Sequence, residues 1–216
     1  MTLVLLVRHG LAEATGDRLY GTTPGIHLSD EGRSQAERLA ERLSRVKLSA
    51  VYSSPLERCL ETAAPVASQR GLDVQILADL GEVDYGSWTG RTFASLRRTA
   101  LWRRVHQLPS SVRFPGGESL TEVQDRAVRA VEEIGANHPR DVVAVISHGD
   151  VIRLLLAHYA GIHMDLFHRL VADRASVSAV TVGEGVPRVV RMNDTGTLDD
   201  LTERRRRRPG SRRVRG

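Results

Sequence analysis

Leu3-Val4-Leu5-Leu6-Val7 runs directly into Arg8-His9-Gly10, and Val142-Val143-Ala144-Val145-Ile146 runs directly into Ser147-His148-Gly149. Neither run alternates apolar with polar residues, so each predicts a strand covered on both faces, as in a parallel sheet. Around them, helical patterns and short strands alternate. Ser29-Asp30-Glu31 opens a helix in which Ala36, Leu39, Ala40, Leu43 and Val46 recur at three- and four-residue spacing. Residues 50–53 read as a second strand. Pro55 suits the first turn of a helix that runs to Arg70 and stops at Gly71. Residues 74–77 form a third strand, and a single helix is expected over 93–105. Ser119-Leu120-Thr121-Glu122 is a capping box for a helix reaching about Ala136. The run from Asp141 to Ser147 is the fourth strand, and Ile152 to Ala160 is helical up to Gly161. Val177–Val182 and Arg188–Arg191, joined through Gly183-Glu184-Gly185, predict a terminal hairpin. This alternation predicts an α/β fold: a three-layer α/β/α sandwich with a mostly parallel central sheet.

Ligands of open α/β sheets bind at the C-terminal edge of the strands. Both His9 and His148 fall there, each followed by a glycine that lets backbone approach a ligand closely. Val51-Tyr52-Ser53-Ser54-Pro55 leads to Arg58 at the start of the next helix, on the same edge and near a helix N-terminus. Arg8 and Arg58 offer planar forks of donors that match phosphate oxygens. His148 adds a third contact, and His9 is left as a neutral imidazole able to attack phosphorus. Such a displacement needs an acid for the leaving alcohol. Glu82, Glu118 and Asp84 all qualify by spacing.

The length of 216 residues fits one domain. The longest apolar stretches are strand-length, well short of the ~20 residues of a membrane-spanning helix. Met1 runs straight into a strand-like segment, read as the absence of a secretory leader. The single cysteine, Cys59, excludes an internal disulfide framework and a cysteine-rich zinc site and points to the reducing cytoplasm. Cysteine-type phosphatase chemistry wants an arginine six positions after the thiolate; Pro65 stands there. The net charge of +5 comes from the end of the chain: Arg204 to Gly216 holds eight arginines and no acid, and without it 23 basic face 26 acidic residues, a net of −3. Residues 204–216 are expected to be a disordered basic tail.

Taken in order, Arg8-His9-Gly10, Leu28-Ser29-Asp30-Glu31-Gly32 with Gln35-Ala36, Ser53-Ser54-Pro55-Leu56-Glu57-Arg58 with Glu61-Thr62-Ala63, Glu82 with Gly86-Ser87-Trp88-Thr89-Gly90, Pro115-Gly116-Gly117-Glu118-Ser119 and Ser147-His148-Gly149 resemble the histidine phosphatase superfamily, the phosphoglycerate-mutase-like group. The six blocks span roughly residues 3 to 160. The resemblance implies that residues 1–203 form the phosphatase domain, with 91–119 as a capping insert. It implies His9 as the phosphorylated nucleophile and Glu82 as the acid, then base. Arg8, Arg58 and His148 complete the phosphate pocket, and Gly149, Thr15 and Gly21 join them in binding substrate. It implies no metal and no cofactor. Mutases of the group usually carry asparagine where this chain has Thr15, and a longer segment than the 66 positions from Glu82 to His148. The reading is therefore a phosphomonoester hydrolase acting on a small phosphorylated metabolite. The alternatives are a phosphoglycerate-mutase-type phosphomutase and a polyanion-binding module, nucleic acid or an anionic surface being a partner only through the arginine-rich tail. A homodimer is the assembly considered.

Other signals carry less. Arg91, Arg97, Arg98, Arg103, Arg104 and Arg113 cluster in the insert, where one or two could meet an acidic substrate; a solvated helix face explains them equally well. Trp88 and Trp102 read as core or lid packing, His158, His163 and His168 as surface or structural residues, and Cys59 as a small buried apolar residue.

Overall fold

The computed structural model describes residues 1–14 and 16–196. Its six-stranded sheet comprises β1 (Thr2–Arg8), β2 (Ala50–Ser53), β3 (Val74–Ile76), β4 (Val142–Ser147), β5 (Val177–Val182) and β6 (Arg188–Asp194), in the order β3-β2-β4-β1-β5-β6. The first four are mutually parallel, and β5 and β6 add as the antiparallel hairpin predicted from the two glycines.

The unbroken apolar runs have the expected consequence. Along β1, Leu3, Leu5 and Val7 face α1 (Asp30–Leu43) and α2 (Glu57–Ser68), while Val4 and Leu6 face α5 (Leu120–Asn137) and α6 (Gly149–Ala160). The same division runs through β4, with Val142, Ala144 and Ile146 on one side and Val143 and Val145 on the other. Two cores on opposite faces of one sheet make the three-layer sandwich, and the alternation of side chains along each strand assigns them.

The capping box forms as read: the Ser119 hydroxyl accepts from Glu122 N–H, and the Glu122 carboxylate accepts from Ser119 N–H at 2.8 Å. Three expectations need correction. Residues 93–105 are two helices, α3 (Phe93–Leu96) and α4 (Ala100–Gln107), because Thr99 ends one turn and caps the next, its hydroxyl accepting from Trp102 N–H at 3.1 Å. Helix α2 starts at Glu57, two residues after Pro55. Helix α6 starts at Gly149, three residues ahead of the apolar periodicity, so His148 is its N-cap residue. Thr15 and residues 197–216, including the end of the 1–203 domain and the 204–216 tail, lie outside the described residues.

No helix among the described residues is long and apolar enough to cross a membrane.

Candidate active site

Parallel pairing brings the two histidine motifs side by side. Arg8 is in register with Ser147, and His9 N–H donates to the Ser147 carbonyl at 3.0 Å. On the other side of β4, Ser54 N–H donates to the Ile146 carbonyl, also at 3.0 Å. His9, Ser54 and His148 thus leave the ends of three adjacent strands at one edge of the sheet. The His9 and His148 rings lie 5.2 Å apart, edge to face at 61°.

A hydrogen bond fixes the tautomer of the His9 ring, and burial keeps both rings neutral. His9 Nδ1 is 2.7 Å from the Gly10 carbonyl oxygen. A carbonyl only accepts, so Nδ1 carries the proton and Nε2 keeps its lone pair. Burial, and then the charges of Arg174, Arg58 and Arg8, hold the His9 ring well below its ordinary pKa, so it is neutral at pH 7. His148 is fully buried. Its Nε2 is hydrogen-bonded to the Ser54 hydroxyl at 2.8 Å, and its Nδ1 faces Glu82 Oε2 at 3.9 Å and Arg58 Nη2 at 3.4 Å. Burial, then the His9 ring and the nearby guanidinium groups, pulls His148 well down as well. Cys59 is buried against this ring, with Sγ 3.4 Å from Nε2; burial pushes its thiol up to about 12, leaving it an inert neighbour.

Each guanidinium is anchored by one arm and free at another. Arg8 Nη1 donates to the Ala172 carbonyl at 2.6 Å and Arg58 Nη2 to the Gly21 carbonyl at 2.8 Å. Among the described residues, Arg8 Nε and Arg58 Nη1 are buried without an acceptor. A buried donor left unpaired costs about 1–3 kcal/mol, and a phosphoryl oxygen is an acceptor of the right charge to recover it. Two glycines make room. A Cβ on Gly149 would come within 3.0 Å of Arg8 Cζ, and one on Gly21, where φ is +52°, within 2.7 Å of the Tyr85 ring. The sequence reading therefore places His9, His148, Arg8, Arg58, Gly21 and Gly149 together.

That reading missed Arg174. It comes from the turn before β5, and its Nη1 lies 3.3 Å from His9 Nε2. Burial pushes it down to about 10, so it remains a cation at neutral pH. Nothing in its own neighbourhood, Asp173-Arg174-Ala175, marks it; only the antiparallel return of β5 alongside β1 carries it to His9.

The structure separates the three carboxylates that spacing left equivalent. Glu118 is engaged by Arg126 at 2.7 Å and by Asp84 N–H at 2.9 Å, and Asp84 accepts from Gly86 N–H at 2.9 Å; both tie down loops. Glu82 lies at the site, and burial followed by the Asp150 charge pushes it up to about 7. Asp150 stays ionised: Arg153 pairs with it, and Tyr85 Oη donates to it at 2.7 Å.

Glu82 also marks a junction. A cavity of about 170 Å³ holds His9, Arg8, Arg58, Gly21 and Arg174, and an adjoining chamber of about 360 Å³ opens on its other side; Glu82, Arg8 and Tyr85 line both. The chamber bears on three readings. None of Arg91, Arg97, Arg98, Arg103, Arg104 and Arg113 lines either cavity; all six are exposed, as the solvated-face reading has it. The insert instead presents Phe93 and Trp102, and Trp88 joins them from the loop just ahead of it, so the tryptophans are chamber wall as well as packing. His168, read as a surface or structural residue, lines the chamber too, brought in by the 3-10 turn Met164–Arg169.

The sequence profile of the histidine phosphatase superfamily (branch 1) matches residues 4–195. The chain is 32% identical over 203 residues to phosphoserine phosphatase 1 of Hydrogenobacter thermophilus, covering 93% of this chain and 96% of that one. It is 36% identical over 201 residues to the bifunctional protein Rv2228c of Mycobacterium tuberculosis, covering 91% of this chain but only 55% of that protein. Among solved structures, Bacillus stearothermophilus YhfR superposes with a TM-score of 0.85 at 30% identity, over 91% of this chain and 98% of that one.

Proposed function

The chain belongs to the histidine phosphatase superfamily, and from that premise we propose that it hydrolyses small phosphomonoesters through a phosphohistidine formed on His9 Nε2. One observation carries the assignment of the nucleophile. The His9 ring is neutral, locked with its lone pair outward, and that lone pair sits among Arg8, Arg58 and Arg174, two of which have unpaired buried N–H groups.

The substrate phosphoryl group lies in the smaller cavity, its oxygens held by Arg8 Nε, Arg58 Nη1 and Arg174, with the His148 ring beside them. Nε2 of His9 attacks phosphorus in line as the bond to the ester oxygen breaks. The fixed cations offset charge building on the equatorial oxygens. Protonated Glu82, at the junction, gives its proton to the departing oxygen, and the alcohol leaves through the chamber. Glu82, now a carboxylate, takes a proton from water; the water oxygen bonds to phosphorus, the P–N bond breaks and inorganic phosphate departs. A carboxyl with a pKa of about 7 suits both half-reactions, being a ready acid and a ready base at the same pH. The compact interval from Glu82 to His148 supports water, rather than a second substrate hydroxyl, as the acceptor. The reading also places the enzyme in the reducing cytoplasm, supported by a lone, buried cysteine.

The test is burst-phase labelling with a phosphate-labelled ester. Native protein should acquire acid-labile, base-stable phosphate, and His9→Ala should lose both the label and turnover. Unchanged turnover in His9→Ala would overturn the assignment.

A further inference from the structure

The larger chamber receives the alcohol, and its walls state what kind of alcohol fits. Five rings follow one another along it: Trp88 against Trp102 at 6.2 Å, Trp102 against His106 at 4.6 Å, His106 stacked on His168 at 4.9 Å and 9°, and His168 against Phe167 at 4.0 Å. All five line the chamber. Arg153 and Asp150 bring opposite charges that neutralise each other. Arg153 pairs with Asp150, donates to the Gly149 carbonyl at 3.3 Å and lies 5.2 Å over the Phe167 ring. The His168 Nε2–H is spent on the Val105 carbonyl at 3.0 Å. A carboxylate on the leaving group would therefore meet Glu82, Asp150 and aromatic faces; of the two cations on the wall, Arg153 is paired with Asp150, and the open Nε–H of Arg8 serves the phosphoryl group in the reading above. A planar uncharged ring would meet offset and edge-on partners along its length.

Resting on the phosphatase reading above, we infer that the preferred substrates are phosphomonoesters of planar, uncharged aromatic alcohols, seated against the row of tryptophan and histidine rings along this chamber. The lid segment from Phe93 to Gln107 is then a specificity element, with Trp102 its central contact.

The experiment measures inorganic phosphate released from 2-naphthylmethyl phosphate, methyl phosphate and phosphoserine, whose primary alkoxide leaving groups avoid the intrinsic advantage of a phenol. The expected result is kcat/KM for the naphthylmethyl ester higher than for either of the others by ~30-fold or more, since burying a ring of that size is worth at least that factor. Trp102→Ala should reduce the ratio of naphthylmethyl to methyl ester about tenfold, and Trp102→Phe should keep most of it. If Trp102→Ala does not fold, Phe93→Leu, on the same wall, takes its place. Equal kcat/KM for the three esters, or a preference for phosphoserine, would overturn the inference while leaving the phosphatase reading intact. Hydrolysis of none of them would take down the phosphatase reading and this inference with it.

Discussion

The proposed phosphate end and alcohol end of this site meet at Glu82, yet they are made in different ways. The phosphate end is assembled where β1, β2 and β4 stop. Arg8, His9, Arg58 and His148 each lie within a few residues of a strand terminus, and parallel register alone brings them together. The alcohol end has no such frame. Its wall draws on the loop around Trp88, the lid helices α3 and α4, the first turn of α6 and the 3-10 turn Met164–Arg169, elements far apart in sequence and joined by ring packing. Charge recognition tolerates little displacement and is built on the rigid sheet edge. Apolar recognition needs only surface of the right shape and can be carried on a lid.

The comparison can be broken most severely at the phosphate end. His9→Ala removes the proposed nucleophile and should lower kcat by roughly 10⁴-fold or more, the scale seen when a covalent nucleophile is lost; steady-state release of phosphate from methyl phosphate is the measurement. At the junction, Glu82→Gln should cost about 10²- to 10⁴-fold and change the pH profile. In the native enzyme Glu82 must be protonated to act as acid, so kcat/KM should fall as pH rises through about 7. That alkaline limb should vanish in Glu82→Gln; its survival would assign the titration to another group.

Arg174→Ala tests whether the residue from the β5 turn belongs with the other two arginines. Loss of one charged contact to phosphate should lower kcat/KM by roughly 10- to 100-fold. The variant should also move the acid limb. Arg174 is the largest charge holding His9 below its ordinary pKa, so removing it raises that pKa. Activity, which needs neutral His9, then fails at a higher pH than in the native enzyme. A rate loss without this movement would mean that Arg174 only shapes the pocket.

The smallest effect is expected from Asp150→Asn on the chamber side, less than about tenfold on the plateau rate if packing is retained. Its use is the direction of a shift. Asp150 is the charge that raises Glu82, and in its absence the unpaired Arg153 pulls the same way; Glu82 should titrate lower, and the alkaline limb should move to lower pH. An unmoved limb would show that burial alone sets the Glu82 pKa.

Much of this was legible in the sequence, and unevenly so. The solid apolar runs at Leu3–Val7 and Val142–Ile146 specify strands with two covered faces, and a residue that follows such a strand has its place on the sheet edge fixed by covalent connection. That is why His9, Arg8, His148 and Arg58 could be placed in advance. The break between α3 and α4 was hidden because Thr99 acts through one side-chain hydrogen bond that leaves no mark on apolar spacing. The start of α6 was hidden because Gly149 and Asp150 serve the site rather than the helix.

The order of apolar runs, glycines and charged residues along the chain determined the layered α/β architecture and the sheet edge that carries both histidines and Arg8 and Arg58, since both follow from short-range connection and from the period of side-chain directions. Only the tertiary structure decided which of three carboxylates is desolvated beside the histidines, that Arg174 returns to His9, and that rings from residues 88 to 168 line one chamber. Desolvation and ring packing depend on what surrounds a side chain in space, and one sequence does not print its neighbours.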